Sequence, residues 1–338
     1  MKKALIFGVT GQDGIYLSKF LLKKGYEVHG VRRKKTFSNS FRVDYIKSTL
    51  IKKKNFFLHI GDITNSFSVL NLIKKIKPKE IYNLAAQSHV VDSFNLPKLT
   101  TNADALGTLR ILESIIKTNK RIKFYQAGSS EMFGKVVEIP QTEKTPFYPR
   151  SPYGVAKVYS HWITVNYRET YKIFACNGIL FNHESPFRGE NFVTKKIIKA
   201  LCKIKFKKQK KLLLGNLYSK RDWGHAEDYV QAMWRMLQNK YPDDFVICTG
   251  KQYSIKEFIN LVLKELKIPI KWKGKGIKEK GYTNNNCIIE CSKKNLRPAE
   301  VDTIIGDYSK AKRILKWRPK HDIKFIIRDM IDFEIRNF

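Results

Sequence analysis

Residues 4–14 read Ala-Leu-Ile-Phe-Gly-Val-Thr-Gly-Gln-Asp-Gly, and this stretch decides the fold. The apolar run 4–7 predicts a short strand, and the pattern after the glycines predicts a helix that ends at Gly25. A glycine turn alone fits a purely structural role. At the first strand–helix junction it indicates a dinucleotide site, because the backbone can approach a pyrophosphate closely at the helix N-terminus. The residues predicted to bind there are Gly8, Val9, Thr10, Gly11, Gln12, Asp13 and Gly14.

The first half of the chain continues this alternation of strand and helix patterns. The segments between the strand-like runs carry apolar residues at three- and four-residue spacing, which is typical of amphipathic helices. Such alternation predicts an α/β fold with a Rossmann-type, doubly wound parallel sheet. The strand-like runs occur at residues 26–31, 56–60, 80–84 and 122–126.

The pattern loosens after about residue 180. Residues 191–204 predict a helix, residues 244–249 predict a strand that returns to the sheet, and residues 273–286 predict a loop rich in Gly, Lys and Asn. A terminal helix closes the chain. This change of pattern favours a second, smaller lobe.

We therefore expect a cofactor domain and a substrate lobe. The Rossmann domain comprises residues 1–180, with returning segments at about 216–250. The smaller α/β lobe, which we expect to bind the substrate, comprises residues 181–215 and 251–338.

Length and composition fit an ordinary globular chain. With 338 residues, 43% of them hydrophobic, the protein can bury a full core. No stretch approaches the roughly 20 apolar residues of a transmembrane helix, and the N-terminal apolar run ends at Gly8, so we expect a cytoplasmic protein. The five cysteines lack the spacing of a zinc site, and we expect reduced thiols and no bound metal.

The net charge of +35 is unusual. A chain this basic could bind nucleic acid, and that function is an alternative of a different class. However, the lysines are spread along the whole sequence, and no helix-turn-helix, RNA-binding aromatic signature or zinc module accompanies them. We expect no nucleic-acid or membrane partner, and a general attraction for anionic substrates.

The end of the second predicted strand distinguishes between dinucleotides. NAD sites usually have Asp or Glu there, which accepts hydrogen bonds from the ribose. Residues 32–35 are instead Arg-Arg-Lys-Lys, and cations suit the 2′-phosphate of NADP. We predict NADP as the cofactor, with Arg33 and Lys34 on its phosphate; the alternative is a chance run in a lysine-rich chain.

Two further segments complete the predicted cofactor site. Asp62 and Ile63 follow the third strand, where Asp62 can contact the adenine ring. The segment after the fourth strand has small residues, which let the backbone lie against the cofactor. This segment comprises Leu84, Ala85, Ala86, Gln87 and Ser88.

Tyr153 and Lys157 form a Tyr-x-x-x-Lys pair at helical spacing. One turn of helix brings the ammonium near the phenol, and with a positively charged nicotinamide it is expected to lower the pKa of Tyr153. Such a tyrosine can take a proton from a sugar hydroxyl as hydride leaves the same carbon. The spacing alone also fits an ordinary helix face; together with the glycine turn it indicates an oxidoreductase site in which both residues also contact the cofactor.

Ser129 and Glu131 follow the fifth predicted strand, at the carboxyl edge of the sheet where such folds bind ligands. The Ser129 hydroxyl can hydrogen-bond the sugar O4. Simple hydride transfer does not require Glu131, whereas a dehydration needs a base for the proton beside the new ketone. The alternative for Glu131 is a structural cap of the following turn.

At this point the chain resembles the GDP-mannose 4,6-dehydratase family of the extended short-chain dehydrogenase/reductase superfamily, nearly from end to end. The asparagine-histidine-glutamate-serine-proline block and the Arg-Asp-Trp-Gly-His block are far more specific than the glycine turn. The stretches that carry the resemblance are 8–16, 25–30, 125–134, 146–157, 178–194, 215–229, 297–302 and 316–319.

The resemblance implies an internal redox cycle on GDP-mannose. Tyr153, supported by Lys157, would deprotonate O4 while hydride passes from C4 to NADP. Glu131 would take the C5 proton, and the C6 hydroxyl would leave as water. Hydride returned to C6 would give GDP-4-dehydro-6-deoxy-mannose, and Ser129 would hydrogen-bond the sugar.

The resemblance also implies further binding residues and a homodimer or homotetramer. By family position, His183 and Arg188 would contact the cofactor. The GDP-sugar would be bound by Asn182, Lys196, Arg221, Arg297 and Glu300, with the cations facing its diphosphate.

Four positions differ from the residues usual in the family. Ser129 stands where threonine is usual, and Lys34 stands where arginine is usual. Phe187 replaces an arginine, and Leu99 replaces a tyrosine expected near the nicotinamide ribose. Another GDP-sugar reductase or epimerase of the same superfamily, which would not need Glu131, is the nearest alternative function.

Overall fold

Parallel strands form the central sheet of the protein, which a computed structural model describes over residues 1–34, 40–296 and 301–337. The strands in chain order are β1 (Lys3–Phe7), β2 (Glu27–Arg32), β3 (Phe56–Ile60), β4 (Glu80–Asn83), β5 (Lys123–Ala127), β6 (Ala175–Leu180), β7 (Asn182–Glu184), β8 (Leu212–Leu214), β9 (Lys220–His225), β10 (Phe245–Ile247), β11 (Gln252–Ser254), β12 (Lys271–Lys273), β13 (Lys280–Thr283) and β14 (Asn286–Cys291).

The α-helices flank these strands in chain order. They are α1 (Gln12–Lys23), α2 (Ser40–Tyr45), α3 (Ser66–Ile76), α4 (Val90–Asn95), α5 (Pro97–Thr100), α6 (Leu106–Thr118), α7 (Pro152–Tyr171), α8 (Val193–Lys205), α9 (Ala226–Gln238), α10 (Ile255–Glu265), α11 (Ser309–Leu315) and α12 (Ile323–Arg336). Turns of π-helix at Ile46–Leu50 and Thr101–Ala105, and 3₁₀ turns at Ser130–Met132, Gly276–Lys278 and Lys293–Asn295, lie between them.

The main sheet has the order β10-β6-β5-β4-β1-β2-β3, and all its neighbouring strands are parallel. This confirms the Rossmann-type α/β class. The order reverses between β1 and β4, so a crevice opens outside their carboxyl ends, where such folds bind ligands. The predicted strand at residues 244–249 is β10, which pairs with β6 at the sheet edge.

Two apolar layers cover the main sheet. Because neighbouring side chains of a strand point to opposite faces, Leu5 and Ile6 of β1 belong to different layers. Ile6 packs in the layer that contains Leu21 of α1 and Met233 of α9. Leu5 packs in the layer that contains Ile111 of α6. Burial on both faces explains why β1 is an unbroken apolar run.

A separate apolar core lies in the later part of the chain. Ile198 of α8, Phe258 of α10 and Ile327 of α12 pack there against Ile289 of β14. Two small sheets accompany this core, with the orders β11-β9-β7 and β12-β13-β14-β8.

The loop predicted at residues 273–286 was wrong in part. Lys280–Thr283 is β13, which pairs with β12 and β14, and Asn284 and Asn285 form its turn with φ values of 46° and 63°. Asparagine tolerates this left-handed region, which tight hairpins require. The local composition suggested a loop because Gly, Lys and Asn are all depleted in strands, even though β12 and β14 flank β13 directly in the sequence.

Within residues 1–34, 40–296 and 301–337, no helix combines the length and the apolar character that a membrane span requires.

The turn between β1 and α1 is packed directly on the backbone that follows β4. Gly8 has φ of +84°, and a Cβ at this position would lie 2.7 Å from Ala85 N and from the carbonyl carbon of Leu84. A Cβ on Gly14 would lie 2.6 Å from Gly8 O and from Val9 Cα. These two glycines therefore allow the turn to approach β4 and the helix to approach the turn.

We expect Gly8→Ala to lower the free energy of unfolding by about 2–4 kcal/mol, because left-handed strain adds to a clash with immobile backbone. Gly25→Ala is the matched control: its φ is +78°, but a Cβ there meets nothing within 4 Å. It should cost only about 1 kcal/mol in urea-induced unfolding. Equal losses in the two variants would contradict the close approach of the turn to β4.

Candidate active site

The glycine turn leaves the N-terminus of α1 open toward the crevice between β1 and β4. Gly11 is the N-cap of α1, and as a glycine it has no side chain with which to cap the first helical N–H groups. Gly11 N donates to Gly8 O over 2.9 Å, which holds the turn tight. An open helix N-terminus beside a backbone without Cβ atoms suits a pyrophosphate.

Asp13, in the first turn of α1, is paired with His183 of β7. His183 Nε2 lies 2.9 Å from Asp13 Oδ2, and Gln12 Nε2 donates to His183 O over 3.0 Å. Burial alone would raise the pKa of Asp13, but the charge and hydrogen bond of His183 hold it below its usual value. Burial would likewise lower the pKa of His183, and Asp13 reverses this to a raised value. The pair fixes the glycine turn against β7.

A small cleft lies beside the glycine turn. Its wall includes ten of the residues predicted to bind the cofactor. They are Gly8, Thr10, Gly11, Arg33, Asp62, Ile63, Leu84, Ala85, Ala86 and Gln87. Leu99 lines it as well.

Three of the predicted cofactor residues line neither this small cleft nor the larger cleft next to it. Val9 is buried, and its side chain would meet a Cβ on Gly30, so it packs the turn onto β2. Gly14 is also buried, within α1. Lys34 is exposed and lies outside the described wall of the small cleft, whereas Arg33 belongs to it.

A larger cleft of about 470 Å³ adjoins the small one at Leu84 and Ala86. Its wall brings together predicted catalytic, cofactor and substrate residues from distant parts of the sequence. They are Gln12, Asp13, Ser88, Ser129, Glu131, Tyr153, Lys157, Asn182, His183, Arg188, Lys196 and Arg221. The predicted residues Arg297 and Glu300 lie outside the described residues.

Tyr153 is held by the start of α7. Ser151 caps this helix, its Oγ accepting from Gly154 N over 3.0 Å, and Pro152 occupies the first turn. A Cβ on Gly154 would lie 2.8 Å from Glu131 O. This glycine therefore lets the Ser130–Met132 turn, which carries Glu131, pack directly on the first turn of α7.

Ser129, Glu131 and Tyr153 form one cluster. The Tyr153 hydroxyl is hydrogen-bonded to Ser129, and Glu131 N donates to Ser129 Oγ over 3.2 Å. Tyr153 and Glu131 are only 8% and 9% exposed. One nearly buried cluster therefore contains a phenol, a hydroxyl and a carboxyl group.

Lys157 lies one helical turn after Tyr153 and is buried. Its Nζ donates to Ala127 O over 2.9 Å and lies 5.7 Å from the centre of the Tyr153 ring. Burial lowers the pKa of Lys157, and the negative charge of Asp104 opposes this. The spacing therefore does bring the amine near the phenol, as predicted.

The prediction that Lys157, together with a positively charged nicotinamide, lowers the pKa of Tyr153 stays a prediction, and the surrounding protein shifts that pKa upward. Burial raises the pKa of Tyr153, and the charges of Asp104 and Glu131 raise it further; the Ser129 hydrogen bond and the Arg188 charge act in the opposite sense. The sequence shows which residues neighbour the phenol, but not how completely the fold removes it from water.

Arg188 lines the large cleft, and its side chain contacts an acidic and an aromatic residue. Its Nε lies 3.0 Å from Glu184 Oε2, and its guanidinium lies 3.7 Å from the centre of the Phe192 ring. Glu184 is itself buried and accepts from Thr194 Oγ1 over 2.6 Å. Because this cation is already held in place, it can bind an anion with little further loss of side-chain entropy.

Phe187, which replaces a usual arginine, is buried in an aromatic cluster. Its ring centre lies 5.7 Å from Tyr16, 4.7 Å from Tyr45 and 6.4 Å from Phe333. The cluster joins α1, α2 and α12. Phe187 therefore contributes aromatic packing at a position where an arginine would contribute a charge.

The large cleft contains polar residues that the sequence analysis missed, among them Arg42, Glu184 and Asn216. Glu184 lies within the asparagine-histidine-glutamate-serine-proline block, so its position was a usable signal. Asn216 lies within the stretch 215–229 that carries the resemblance, so it too had a usable signal, whereas Arg42 had none, because an arginine in a polar segment also fits an ordinary surface. Asp104, which acts on both Tyr153 and Lys157, was missed for the same reason.

Comparison with known proteins identifies the family. The family model described as GDP-mannose 4,6 dehydratase matches residues 5–330. The chain is 51% identical over 340 residues to GDP-mannose 4,6 dehydratase 2 of Caenorhabditis elegans, which covers 99% of this chain and 89% of the relative. It is 53% identical over 340 residues to GDP-mannose 4,6 dehydratase of Drosophila melanogaster, with 99% and 86% covered.

Solved structures agree with the fold. A dTDP-glucose 4,6-dehydratase from Bacillus anthracis in complex with NAD has a TM-score of 0.82 at 20% identity, and 100% of this chain and 97% of that one are covered. RMD from Pseudomonas aeruginosa complexed with NADPH has a TM-score of 0.78 at 20% identity, with both chains fully covered. At such identity the likeness concerns the fold, whereas the matches near 50% identity assign the family. The chain belongs to the GDP-mannose 4,6-dehydratase family.

Proposed function

We propose that this protein is a GDP-mannose 4,6-dehydratase, a hydro-lyase that uses NADP and forms GDP-4-dehydro-6-deoxy-mannose, a first step toward GDP-deoxyhexoses. One observation carries the proposal: Glu131 lies in the same nearly buried cluster as Ser129 and Tyr153. A reductase or epimerase needs the tyrosine and the hydroxyl, whereas loss of water also needs a base beside the ketone.

The glycine turn fits a dinucleotide. Gly8 and Gly14 leave no space for Cβ atoms, and α1 begins without a side-chain cap, so a pyrophosphate can approach the helix N-terminus. A nicotinamide dinucleotide bound there supplies a site that accepts hydride from C4 and returns it to C6. Gly8 and Gly11 would hold its pyrophosphate, and Asp62 its adenine end.

Tyr153 is the proposed base for the sugar O4 proton. Its pKa is raised by burial, so the phenol is protonated before substrate arrives and needs positive charge to ionise. Lys157 lies on the same helix, and its Nζ supplies one such charge at a distance of 5.7 Å from the ring centre. Ser129 accepts or donates a hydrogen bond at the hydroxyl, and it would orient the sugar O4 in line with the phenol.

Glu131 is the proposed base at C5. Oxidation at C4 makes the neighbouring C5 proton acidic, and a carboxylate close to the ring removes it. The short distance in sequence from Ser129 to Glu131, with Gly154 packed beneath, keeps this carboxylate near the same sugar carbon atoms. The protonated Glu131 can then assist departure of the C6 hydroxyl as water.

The GDP part of the substrate would lie along the later wall of the large cleft. Asn182 begins β7, Lys196 lies on α8 and Arg221 lies on β9, and all three line that cleft. Burial lowers the pKa of Lys196, and the negative charge of an adjacent diphosphate would oppose that shift. Arg297 and Glu300 remain part of the proposal, as does the division between residues 1–180 and the substrate lobe.

NADP is favoured over NAD by the end of β2. Arg33 lines the small cleft, and no carboxylate lies at residues 32–34 to accept from a ribose hydroxyl. Arginine binds a phosphate through a charge-assisted pair of hydrogen bonds, which lysine cannot match. Lys34 is the proposed second, weaker contact.

A homo-oligomer is favoured by an apolar strip on α7. Val155, Tyr159 and Trp162 recur at helical spacing and are 56%, 38% and 57% exposed. Leu96 and Leu106 are also exposed, in the α4–α6 segment that packs against α7. A second copy of the chain can cover this strip by packing helix against helix.

The decisive assay is incubation with GDP-mannose and no added reductant. The protein should form the 4-keto product without net consumption of NADPH. Glu131→Gln should lower turnover by about 10²- to 10⁴-fold, because it removes the base at C5. The same variant should lose deuterium exchange at C5 and keep NADPH affinity.

Glu265→Gln, which changes an exposed glutamate on α10, is the matched control and should retain full turnover. Product formation that consumes NADPH stoichiometrically, or exchange at C5 that persists in Glu131→Gln, would contradict the proposal.

Cofactor selectivity can be tested by titrating the protein with NADPH and with NADH. Arg33→Ala should weaken NADPH binding about 10-fold, the equivalent of one charge-assisted contact, and leave NADH binding unchanged. Lys34→Ala should have a smaller effect in the same direction. Lys52→Ala, an exposed lysine outside both clefts, should change neither affinity. Equal weakening of NADPH and NADH by Arg33→Ala would remove Arg33 from the 2′-phosphate.

Sedimentation velocity tests the proposed oligomer. Trp162→Glu should shift the protein toward the monomer, because a charge in the centre of an apolar interface loses its hydration. Phe67→Glu, which alters a more exposed aromatic residue on α3, should leave the sedimentation coefficient unchanged. A monomeric unmodified protein, or an unaltered Trp162→Glu variant, would argue against assembly through α7.

A further inference from the structure

Lys195 of α8 is a buried lysine that lies outside the described walls of both clefts. The residue is 4% exposed, and its Nζ lies 2.5 Å from Oε1 of Glu334 on α12, which is 7% exposed. The same Nζ donates to Pro186 O over 2.9 Å and lies 4.6 Å from the centre of the Phe333 ring. The ammonium therefore joins α8, α12 and the segment after β7.

Pro186 belongs to a tight turn that leads to the cleft cation Arg188. Arg188 N donates to Ser185 O over 2.9 Å, which closes the turn, and Ser185 Oγ donates to Gln12 Oε1 over 2.8 Å. Pro186 is buried, so its carbonyl oxygen needs a donor within the protein, and Lys195 supplies one. The Lys195 ammonium thus fixes the backbone two residues before Arg188.

The residues on either side of Lys195 line the large cleft. Thr194 and Lys196 belong to its wall, and Thr194 Oγ1 donates to Glu184 Oε2 over 2.6 Å. Lys195 therefore anchors the first turn of α8 on the side of α12, while its two neighbours in the sequence face the ligands.

The ion pair is not needed to hold α8 on α12. A buried pair of opposite charges contributes little net stability, because desolvation of both ions offsets their attraction, and apolar side chains often pack in their place equally well. The two helices already share an apolar core through Ile198 and Ile327. An apolar side chain at position 195 could not, however, donate to Pro186 O. The ammonium therefore indicates a role in fixing the turn.

We propose that Lys195 and Glu334 are positioning residues for Arg188. The carboxylate holds the Lys195 ammonium on Pro186 O, and the ammonium fixes the turn so that Arg188 faces the pyrophosphate of the dinucleotide. The C-terminal helix α12 thereby takes part in cofactor binding from outside both clefts. The inference rests on the proposed contact of Arg188 with the cofactor, and it requires no turnover of GDP-mannose.

The test replaces the pair without a change in net charge. Lys195→Met/Glu334→Leu removes one positive and one negative charge together with the donor to Pro186 O. The buried carbonyl then favours a displaced turn in which it reaches water, and Arg188 moves with it. Fluorescence titration should show NADPH binding about 10-fold more weakly, the equivalent of one lost charge-assisted contact. Unchanged or tighter NADPH binding would overturn the proposal.

Urea-induced unfolding separates positioning from stability. Lys195→Met alone leaves the Glu334 carboxylate buried and unpaired, so it should be the least stable variant, and the double variant should recover most of that loss. NADPH affinity should stay low in the double variant all the same. Recovery of NADPH affinity together with stability would show that the pair is merely structural. If Lys195→Met does not fold, the double variant still decides through its NADPH affinity.

A double-mutant cycle tests whether the pair acts through Arg188. Arg188→Ala should weaken NADPH binding, and the pair substitution added to Arg188→Ala should weaken it less than about twofold further. A further loss as large as in the unmodified background, or an Arg188→Ala variant with full NADPH affinity, would contradict the proposal. Lys211→Gln/Glu290→Gln is the matched control, because it removes an exposed ion pair with the same net charge. It should leave NADPH affinity unchanged, and a loss equal to that of the buried pair would also count against the proposal.

GDP supplies a pyrophosphate from the other ligand. Because apolar packing keeps α8 on α12, Lys196 stays in place, and the pair variant should bind GDP within about twofold of the unmodified protein. A loss confined to GDP would assign the turn to the nucleotide sugar and overturn the contact with the dinucleotide. A protein that shows the expected NADPH pattern without turnover of GDP-mannose would support the positioning role and contradict the proposed dehydratase function.

Discussion

The close approach of the β1–α1 turn to the backbone after β4 is the constraint on which the site depends. Gly8 and Gly14 make it possible, because a Cβ on either would lie within 2.7 Å of main-chain atoms. It places the N-terminus of α1 at the point where the strand order reverses, so the crevice of the sheet and the positive end of a helix coincide. Both clefts meet there, at Leu84 and Ala86. The residues that bind and those that react are therefore arranged around one backbone contact.

Burial shifts the pKa of each reactive group, and the charge or hydrogen bond of a neighbouring group opposes that shift. Removal from water keeps Tyr153 protonated, which suits a base that must act only when a positive cofactor and a substrate are present. Lys157 supplies charge nearby but is itself buried, and burial weakens its hold on a proton. Asp104 opposes that loss, and its own burial is offset by Lys157 and the Gln87 N–H. Each ionisable group in the series thus depends on the protonation state of its neighbour.

The sequence predicts the parts of this arrangement that are local. The glycine turn follows from a strand, three glycines and a helix in succession, and the Tyr153–Lys157 approach follows from helical spacing alone. Contacts between distant segments leave no comparable local pattern in the sequence. Strand β14 pairs with the distant strand β8, Asp104 accepts a hydrogen bond from a residue 17 positions earlier, and the pKa of Tyr153 depends on burial by the whole fold. The resemblance to a known family supplied Asn182, His183 and Arg188, which no local pattern could have assigned.

The positively charged side chains inside the fold have different surroundings from those on its surface. Several cations within the fold are paired with carboxylates: Arg188 lies on Glu184, Lys195 on Glu334, and Arg168 on Asp244 through two hydrogen bonds. Unmatched buried cations would cost several kcal/mol each, roughly, so pairing there is a condition of folding. The excess of +35 must therefore reside mainly on side chains in contact with water, where it is screened within about 8 Å at physiological salt. Selectivity for a nucleotide sugar then depends on the fixed groups of the clefts, and the surface charge acts on the rate at which any anion arrives.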